Sequence, residues 1–306
     1  MLKIAIVGYG NLGKSVEKLI NNKSDMELVV IFSRRQLKHI KYAPLSKIKD
    51  YARKIDIAII CSGSYKDTFG DGIELAQYFN TIDAYDNHNN LIKYIEEMNA
   101  IDKNTGHCAL VCAGWDPGLL SINRALFSVF SENTNYTFWG KGVSLGHSNA
   151  LRQIEGVSDA IAITTPDMRA MESAVNRKTN NIEEKELHSR VCYVSVTKNA
   201  DKYKITKEIM EIPDYFLNET CEIKYVTDEY IQEMKKNSAH KGLVIGNSPD
   251  CQLYFGVNMD NNQDFTAKIL CAYIKAIEKL YKSGQYGAFT CLDIPISYLT
   301  ESRKFL

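Results

Sequence analysis

Gly8-Tyr9-Gly10-Asn11-Leu12-Gly13 directly follows the apolar run Ile4-Ala5-Ile6-Val7 and opens the helical pattern Leu12–Ile20. A strand, a glycine-rich turn and a helix in that order constrain the fold more tightly than anything else in the sequence. Each glycine answers a separate steric demand of a dinucleotide site. Gly8 permits the tight turn, Gly10 leaves the backbone open to a pyrophosphate, and Gly13 lets the helix pack close to the sheet. N–H groups at the helix start supply donors for phosphate oxygens. The plainer alternative is a glycine-rich turn that binds nothing. Met1-Leu2-Lys3 and the short apolar run after them lack the long core and small-residue cleavage site of a signal peptide, so they are expected to form the first strand.

The same rhythm continues through the first third. Strands are expected at Lys3–Val7, Glu27–Phe32, Asp56–Ile60, Thr81–Tyr85 and Ala109–Ala113, with helices such as Leu12–Ile20 and Gly72–Phe79 between several of them. Short apolar runs separated by helices mark a parallel sheet covered on both faces. The expected fold class is therefore α/β, with a doubly wound (Rossmann) dinucleotide-binding domain over residues 1–118. After Pro117-Gly118 the pattern turns to longer β-rich runs: Tyr136–Trp139, Ala160–Thr164, Arg190–Val196, Lys241–Ile245 and Gln252–Met259. Polar loops and helices such as Met168–Lys178 and Asp201–Met210 join them. This predicts an α+β domain over residues 119–282 with an open mixed, mainly antiparallel sheet. The helix Phe265–Lys282 closes that domain, carrying Ile269, Leu270, Tyr273, Ile274, Ile277 and Leu280-Tyr281 at helical spacing. Residues 283–306 then complete the first domain through Gly287–Pro295.

Composition narrows the function classes. Lys plus Arg and Asp plus Glu tie at 37 each, leaving no electrostatic case for nucleic acid or an anionic membrane surface. No apolar stretch reaches the ~18 residues that a membrane span needs. The eight cysteines (Cys61, Cys108, Cys112, Cys192, Cys221, Cys251, Cys271 and Cys291) include no Cys-x-x-Cys pair, and the histidines are dispersed. Reduced structural thiols in a cytoplasmic protein without a metal site are the expectation.

Ligands of doubly wound sheets sit beyond the carboxyl ends of the strands. There, after the second strand, an NAD-binding chain usually carries an acid for the ribose 2′-hydroxyl. This chain reads Ser33-Arg34-Arg35 instead. With only nine Arg in the chain, two adjacent Arg at that prescribed site arise by chance roughly once in a thousand. A hydroxyl and two guanidiniums suit a 2′-phosphate and predict NADP as the cofactor; a solvated surface pair is the alternative. Cys61-Ser62-Gly63-Ser64 closes the next core strand and is expected to line the pyrophosphate or nicotinamide ribose, unless it is an ordinary strand-to-helix turn. Two further strand ends carry carboxylates, Asp83-Ala84-Tyr85-Asp86-Asn87-His88 and Gly114-Trp115-Asp116-Pro117-Gly118. Facing one cleft, Asp86 and Asp116 suit an ammonium group or a shared proton; singly, either serves as a helix cap or turn former.

These blocks combine with Thr137-Phe138-Trp139-Gly140, Gly146-His147-Ser148, Pro213-Asp214-Tyr215-Phe216, Asp264-Phe265-Thr266-Ala267 and Gly287-Ala288-Phe289-Thr290. In this order, from Ile4 to about Pro295, the set resembles the meso-diaminopimelate D-dehydrogenases. The resemblance implies NADP-dependent oxidative deamination of meso-2,6-diaminopimelate at its D-configured carbon. The products would be L-2-amino-6-oxopimelate (which cyclises to tetrahydrodipicolinate), ammonia and NADPH, and the reverse reaction would make the lysine and cell-wall precursor. It also implies a homodimer whose second domain supplies substrate contacts and the subunit interface.

Position by position, the resemblance puts Asp86 and Asp116 near the D-centre ammonium and makes Trp115 and Trp139 the pocket walls. It places Asp86 and Asn87 beside the cofactor as well. Gly146 would offer its backbone N–H to the D-centre carboxylate. Thr164, Arg190 and His240 would grip the distal L-centre carboxylate, with Asn262 nearby. Arg gives a carboxylate two parallel charge-assisted bonds, and His and Thr fill the remaining lone pairs. Asp116, or Asp86 acting through water, is the candidate base, because the amine must be neutral before hydride leaves.

Without the resemblance these residues say less. Arg190, in Arg190-Val191-Cys192-Tyr193-Val194, reads as a solvated strand residue, His240 as a loop residue, and the two Trp, both beside glycine turns, as either core or pocket walls. The chain also departs from the family's pattern. Lys241-Gly242 stands where paired Gly follow the histidine, Asn149 where an Asp is common, and Leu145 at a variable position. Competing readings are a reductase or dehydrogenase of another small dicarboxylate or D-amino acid, or a non-catalytic NADP-binding sensor.

Overall fold

The computed structural model describes residues 1–63, 67–87, 90–131, 135–177, 182–213, 215–217, 221–236 and 239–300. Two compact units divide the chain, Met1–Ile122 with Gln263–Leu306, and Asn123–Asn262. The chain opens with β1 (Leu2–Val7), α1 (Asn11–Asn21), β2 (Met26–Ser33), β3 (Tyr42–Pro44), β4 (Ile57–Ile60), α2 (Asp67–Leu75), β5 (Asn80–Asp83), α3 (Leu91–Thr105), β6 (Cys108–Leu110) and α4 (Leu119–Phe130). Next come β7 (Asn135–Trp139), β8 (Gly142–Ser144), α5 (Leu145–Leu151), β9 (Val157–Pro166), α6 (Met168–Val175), β10 (His188–Val196), α7 (Lys202–Met210), β11 (Cys221–Tyr225), α8 (Asp228–Lys235), β12 (His240–Asn247) and β13 (Gln252–Met259). It ends with α9 (Asn262–Lys282) and β14 (Gly287–Phe289).

In the first unit the sheet order is β3-β2-β1-β4-β5-β6-β14, and every pairing is parallel. Strand order reverses beside β1, so a crevice opens above the ends of β1 and β4, the position where such sheets bind ligands. Alternate residues of β1 enter opposite layers. Ile4 and Ile6 pack with Val16 and Ile20 of α1 and with Leu270, Ile274 and Ile277 of α9. Ala5 and Val7 pack with Phe32, Ile60 and Leu75 on the other side. That two-sided burial is why the strands read as unbroken apolar runs.

The apolar stripe of α9 corrects the expected division of the chain. The sequence pattern assigned this helix to the second domain, but its stripe covers one face of the parallel sheet, so it belongs to the first unit. Likewise α2 starts at Asp67, five residues before the expected Gly72, where the N–H groups of Asp67 and Thr68 both donate to the Gly63 carbonyl.

The strands of the second unit form two sheets. One has the order β11-β10-β9-β8, antiparallel except for the parallel β10–β11 pair, and the other is the antiparallel β13-β12-β7. Hydropathy missed β3, β8 and β11, which are short strands at sheet edges. With one side unpaired, an edge strand need not be strongly apolar. Among the described residues no helix is long and apolar enough to cross a membrane.

Candidate active site

The glycine turn after β1 is built around close backbone approaches. Gly8 has φ +89°, and a Cβ there would lie 2.8 Å from the Ser62 backbone nitrogen. A Cβ on Gly13 would lie 2.3 Å from the Gly8 carbonyl oxygen, so α1 seats directly on the turn. Gly10 differs: a Cβ there would meet nothing within 4 Å. The backbone there is therefore open on the side where a side chain would project, as a close-approaching pyrophosphate needs. Asn11 is exposed and Leu12 packs on the core. Tyr9 donates its hydroxyl to Glu17 and stands edge-on to His39 at 5.5 Å. Burial and the Glu17 carboxylate push its phenol up to about 12.

At the end of β2 the two arginines have different surroundings. Ser33 is buried, and its Oγ accepts the Arg35 backbone N–H at 3.1 Å. Arg34 pairs with the buried Asp71 and, at 3.4 Å, with Asp67, both on α2. Burial raises the Asp71 carboxyl, opposed by hydrogen bonding to Ser62 and by the Arg34 charge. Arg35 is exposed, and among the described residues it meets no carboxylate. The guanidinium of Arg35 is thus clear of carboxylates among the described residues, while Arg34 is already engaged by α2.

Cys61 donates its backbone N–H to Val7 at 2.7 Å, and Thr68 Oγ1 donates to the Ser62 carbonyl at 3.0 Å. Burial raises the Cys61 thiol, so this residue offers the crevice backbone rather than sulfur chemistry. Ser64 lies outside the described residues, as do His88 and Asp214 of the sequence blocks.

The strand ends carrying Asp86 and Asp116 are joined by a residue that sequence reasoning passed over. Asp83 is fully buried, and its Oδ1 accepts the N–H groups of Tyr85 and Cys112, each at 2.9 Å. Its Oδ2 accepts the Tyr94 hydroxyl at 2.7 Å, and its carbonyl accepts the Ala113 N–H. One carboxylate therefore staples the end of β5 to the end of β6. It also holds Cys112 at φ +57°, a left-handed conformation that is uncommon for a residue with a Cβ. From there Gly114–Gly118 folds back on itself, with Leu119 N–H on the Gly114 carbonyl and Leu120 N–H on the Trp115 carbonyl. Gly118 has φ +133°, and a Cβ there would fall 1.9 Å from the Gly114 carbonyl oxygen. Trp115, Asp116 and Asp86 are half-buried on this frame, and Asn87 is buried.

In the second unit the structure draws together Thr164, Arg190, His240 and Trp139. Arg190 on β10 stands in register with Thr164 on β9, which is in turn opposite Gly142 on β8. The His240 ring packs where a Gly142 side chain would be, 2.6 Å from the hypothetical Cβ. His188, two residues before Arg190 on the same face of β10, was missed. Its Nε2 accepts the Trp139 backbone N–H at 2.7 Å, and the two rings stack at 4.6 Å. Burial, then the charges of Arg190 and His240, lower its imidazole to about 3, so it stays a neutral acceptor. Burial also lowers Arg190, to about 10, which leaves it charged at neutral pH. The period-two spacing of His188 and Arg190 was the available signal.

Gly146 is buried in the first turn of α5, where N–H groups have no intrahelical partner. Ser148 pins that turn to β9 by accepting the Ala162 N–H at 2.9 Å. Lys241 is exposed, and its carbonyl accepts the Gly140 N–H at 2.9 Å. Asn262 is buried at the first residue of α9, away in sequence from the strands that hold the others. Among the described residues no group of three or more His, Cys, Asp or Glu is arranged to hold a metal ion.

Comparison with known proteins identifies the family. The family model described as Diaminopimelic acid dehydrogenase C-terminal domain matches residues 114–254. A meso-diaminopimelate D-dehydrogenase from Acetivibrio thermocellus is 39% identical, covering 98% of this chain and 94% of its own. The solved structure of the Corynebacterium glutamicum enzyme in complex with DAP has a TM-score of 0.90 at 34% identity, covering 99% of this chain and 96% of that one. An engineered D-amino acid dehydrogenase bound to NADP+ has a TM-score of 0.93 at 34% identity, covering 99% and 97%. With near-full-length identity of this order and the two-unit architecture in common, the chain belongs to the meso-diaminopimelate D-dehydrogenase family.

Proposed function

We propose that this chain catalyses the reversible, NADP-dependent oxidative deamination of meso-2,6-diaminopimelate at its D-centre, in lysine biosynthesis. The products are L-2-amino-6-oxopimelate (tetrahydrodipicolinate), ammonia and NADPH. The observation that carries this reading is the buried Arg190 in register with Thr164, with His240 against Gly142. A guanidinium at this position suits a carboxylate, which it can bind through two parallel charge-assisted bonds. A carboxylate remote from the reacting carbon is what a dicarboxylic diamine offers and a simple D-amino acid lacks.

Arg190, Thr164 and His240, with Asn262, take the distal L-centre carboxylate and so decide which stereocentre is presented. The Gly146 N–H receives the D-centre carboxylate, and Trp115 and Trp139 wall the pocket. Asp116, or Asp86 through a water, takes the proton from the D-centre ammonium. Gly8 to Gly13, the 61–64 turn and Asn87 hold the dinucleotide, and Ser33 with Arg35 and Arg34 holds its 2′-phosphate. When bound, the nicotinamide supplies the hydride acceptor. We also infer a homodimer working in the cytoplasm. The free cysteines suit a reducing compartment, and light scattering that returns the mass of two chains checks the dimer.

Protein and NADP+ incubated with meso-diaminopimelate should generate NADPH absorbance, and the L,L isomer should not. Silence with both isomers overturns the assignment. For the base, Asp116→Asn should lower turnover and change the pH profile. Near-normal turnover with an unaltered profile removes Asp116 from that role.

A further inference from the structure

The strand that carries Arg190 also carries a pair of thiols in contact. Along β10, His188, Arg190, Cys192 and Val194 are buried on one face. On the neighbouring β11, Cys221 stands in register with Arg190 and faces the same way. The Cys192 and Cys221 sulfurs are 3.3 Å apart. Cys192 is fully buried, whereas Cys221 is partly exposed. One thiol is therefore reachable from solvent, and the second is within reach of the first alone.

The surroundings make the two thiols unequal. Either thiol can donate to the other. The contact with Cys192 and the nearby Arg190 guanidinium outweigh burial and the Glu222 charge, so the Cys221 thiol is lowered from its ordinary value. Its partner is raised. A partly exposed, electropositive cysteine beside a shielded one is the arrangement of a nucleophilic thiol with a resolving thiol. The strand geometry permits closure. Diagonal neighbours on adjacent strands lie ~7–8 Å apart, just beyond the Cα separation that a disulfide spans, so closure requires β11 to move inward by roughly 1–2 Å. As the edge of its sheet, β11 has a partner on one side only and can follow.

We propose that Cys192 and Cys221 form a reversible disulfide, a thiol-oxidation site built into the strand that holds Arg190. The oxidant is a low-molecular-weight disulfide, RSSR. The Cys221 thiolate attacks one sulfur, the RS–SR bond breaks, and RS⁻ leaves with the proton that Cys192 gives up. The Cys192 sulfur then attacks the Cys221 sulfur of the mixed disulfide, forming the intramolecular bond and expelling the second RS⁻, which takes a proton from water. Two cysteine thiols are oxidised and one RSSR is reduced to two RSH; excess dithiol reverses both steps.

Treating the folded protein with oxidised glutathione, followed by alkylation, digestion and mass spectrometry, tests this. The expected result is a Cys192–Cys221 cross-linked peptide, two fewer alkylated thiols and no retained glutathione, all reversed by dithiothreitol. Cys192→Ser should stop at one glutathione on Cys221, and Cys221→Ser should leave Cys192 unmodified. Stable glutathione on wild-type Cys221, or oxidation confined to the other half-exposed cysteine, Cys251, overturns the proposal.

Discussion

Replacing Arg35 by Ala removes an exposed guanidinium that pairs with no carboxylate among the described residues, so the fold should lose little. A bound 2′-phosphate would lose one charge-assisted contact, worth ~1.5–3 kcal/mol. At about 1.4 kcal/mol per factor of ten, the Kd for NADP+ should rise roughly 10- to 150-fold, with the Kd for NAD+ changed by less than about twofold. Arg34→Ala should behave differently, because it strips the ion pair from Asp71, whose side chain is only 3% exposed. A buried acceptor left without its partner costs ~1–3 kcal/mol, so Tm should fall by several degrees alongside any loss of NADP+ binding. Adding Asp71→Asn to Arg34→Ala should then recover much of that Tm. Nucleotide titrations by fluorescence, paired with thermal melts, read both quantities on each variant. Equal weakening of NADP+ and NAD+ by Arg35→Ala would refute the 2′-phosphate role. A normal Tm in Arg34→Ala would refute the account of Asp71.

Asp102 is fully buried, its two carboxyl oxygens meet no hydrogen-bond partner among the described residues, and burial raises it to about 8. Because the folded state holds this proton more tightly than the unfolded one, its contribution is intact below pH ~4 and is lost as pH rises to ~8, at up to ~1.4 kcal/mol per unit. Asp102→Asn should therefore melt above wild type at pH ~8, with a Tm difference that shrinks toward pH ~5; a difference independent of pH contradicts this. Arg190→Lys keeps the charge but loses the planar fork, and initial rates should show KM for meso-diaminopimelate raised roughly tenfold or more. A KM within about twofold of wild type would clear Arg190 of carboxylate binding. Asp83→Ala removes the acceptor of three hydrogen bonds, so stability should drop by ~3 kcal/mol or more and kcat should fall with it. Folded Asp83→Ala with unchanged kcat would show that the staple does not position Asp86 and Asp116.

Much of the nucleotide half was legible in the sequence. A strand followed by glycines at set spacing leaves few packings, and the close approaches at Gly8 and Gly13 show why no other residue would serve there. The alternation of apolar runs and helices led to the parallel sheet for the same local reason, since each strand is buried on both faces. The substrate half was legible only through the family resemblance. Alone, Arg190 reads as a solvated strand residue, and its role as a buried cation depends on Thr164, His240 and His188 arriving from other strands.

Sequence alone settled those features whose physics is local: turn sterics at the glycines, the missing acid after β2, and the face of each strand that is apolar. Tertiary structure decided what depends on distant partners. It placed α9 in the first unit, because a helix stripe does not say which sheet it will cover. It set Asp83 between two strand ends and divided Arg34 from Arg35 by what α2 brings against them. It set two thiols, 29 residues apart in the chain, in contact on neighbouring strands. Register and packing between segments far apart in sequence set these distances, and no single segment carries that information.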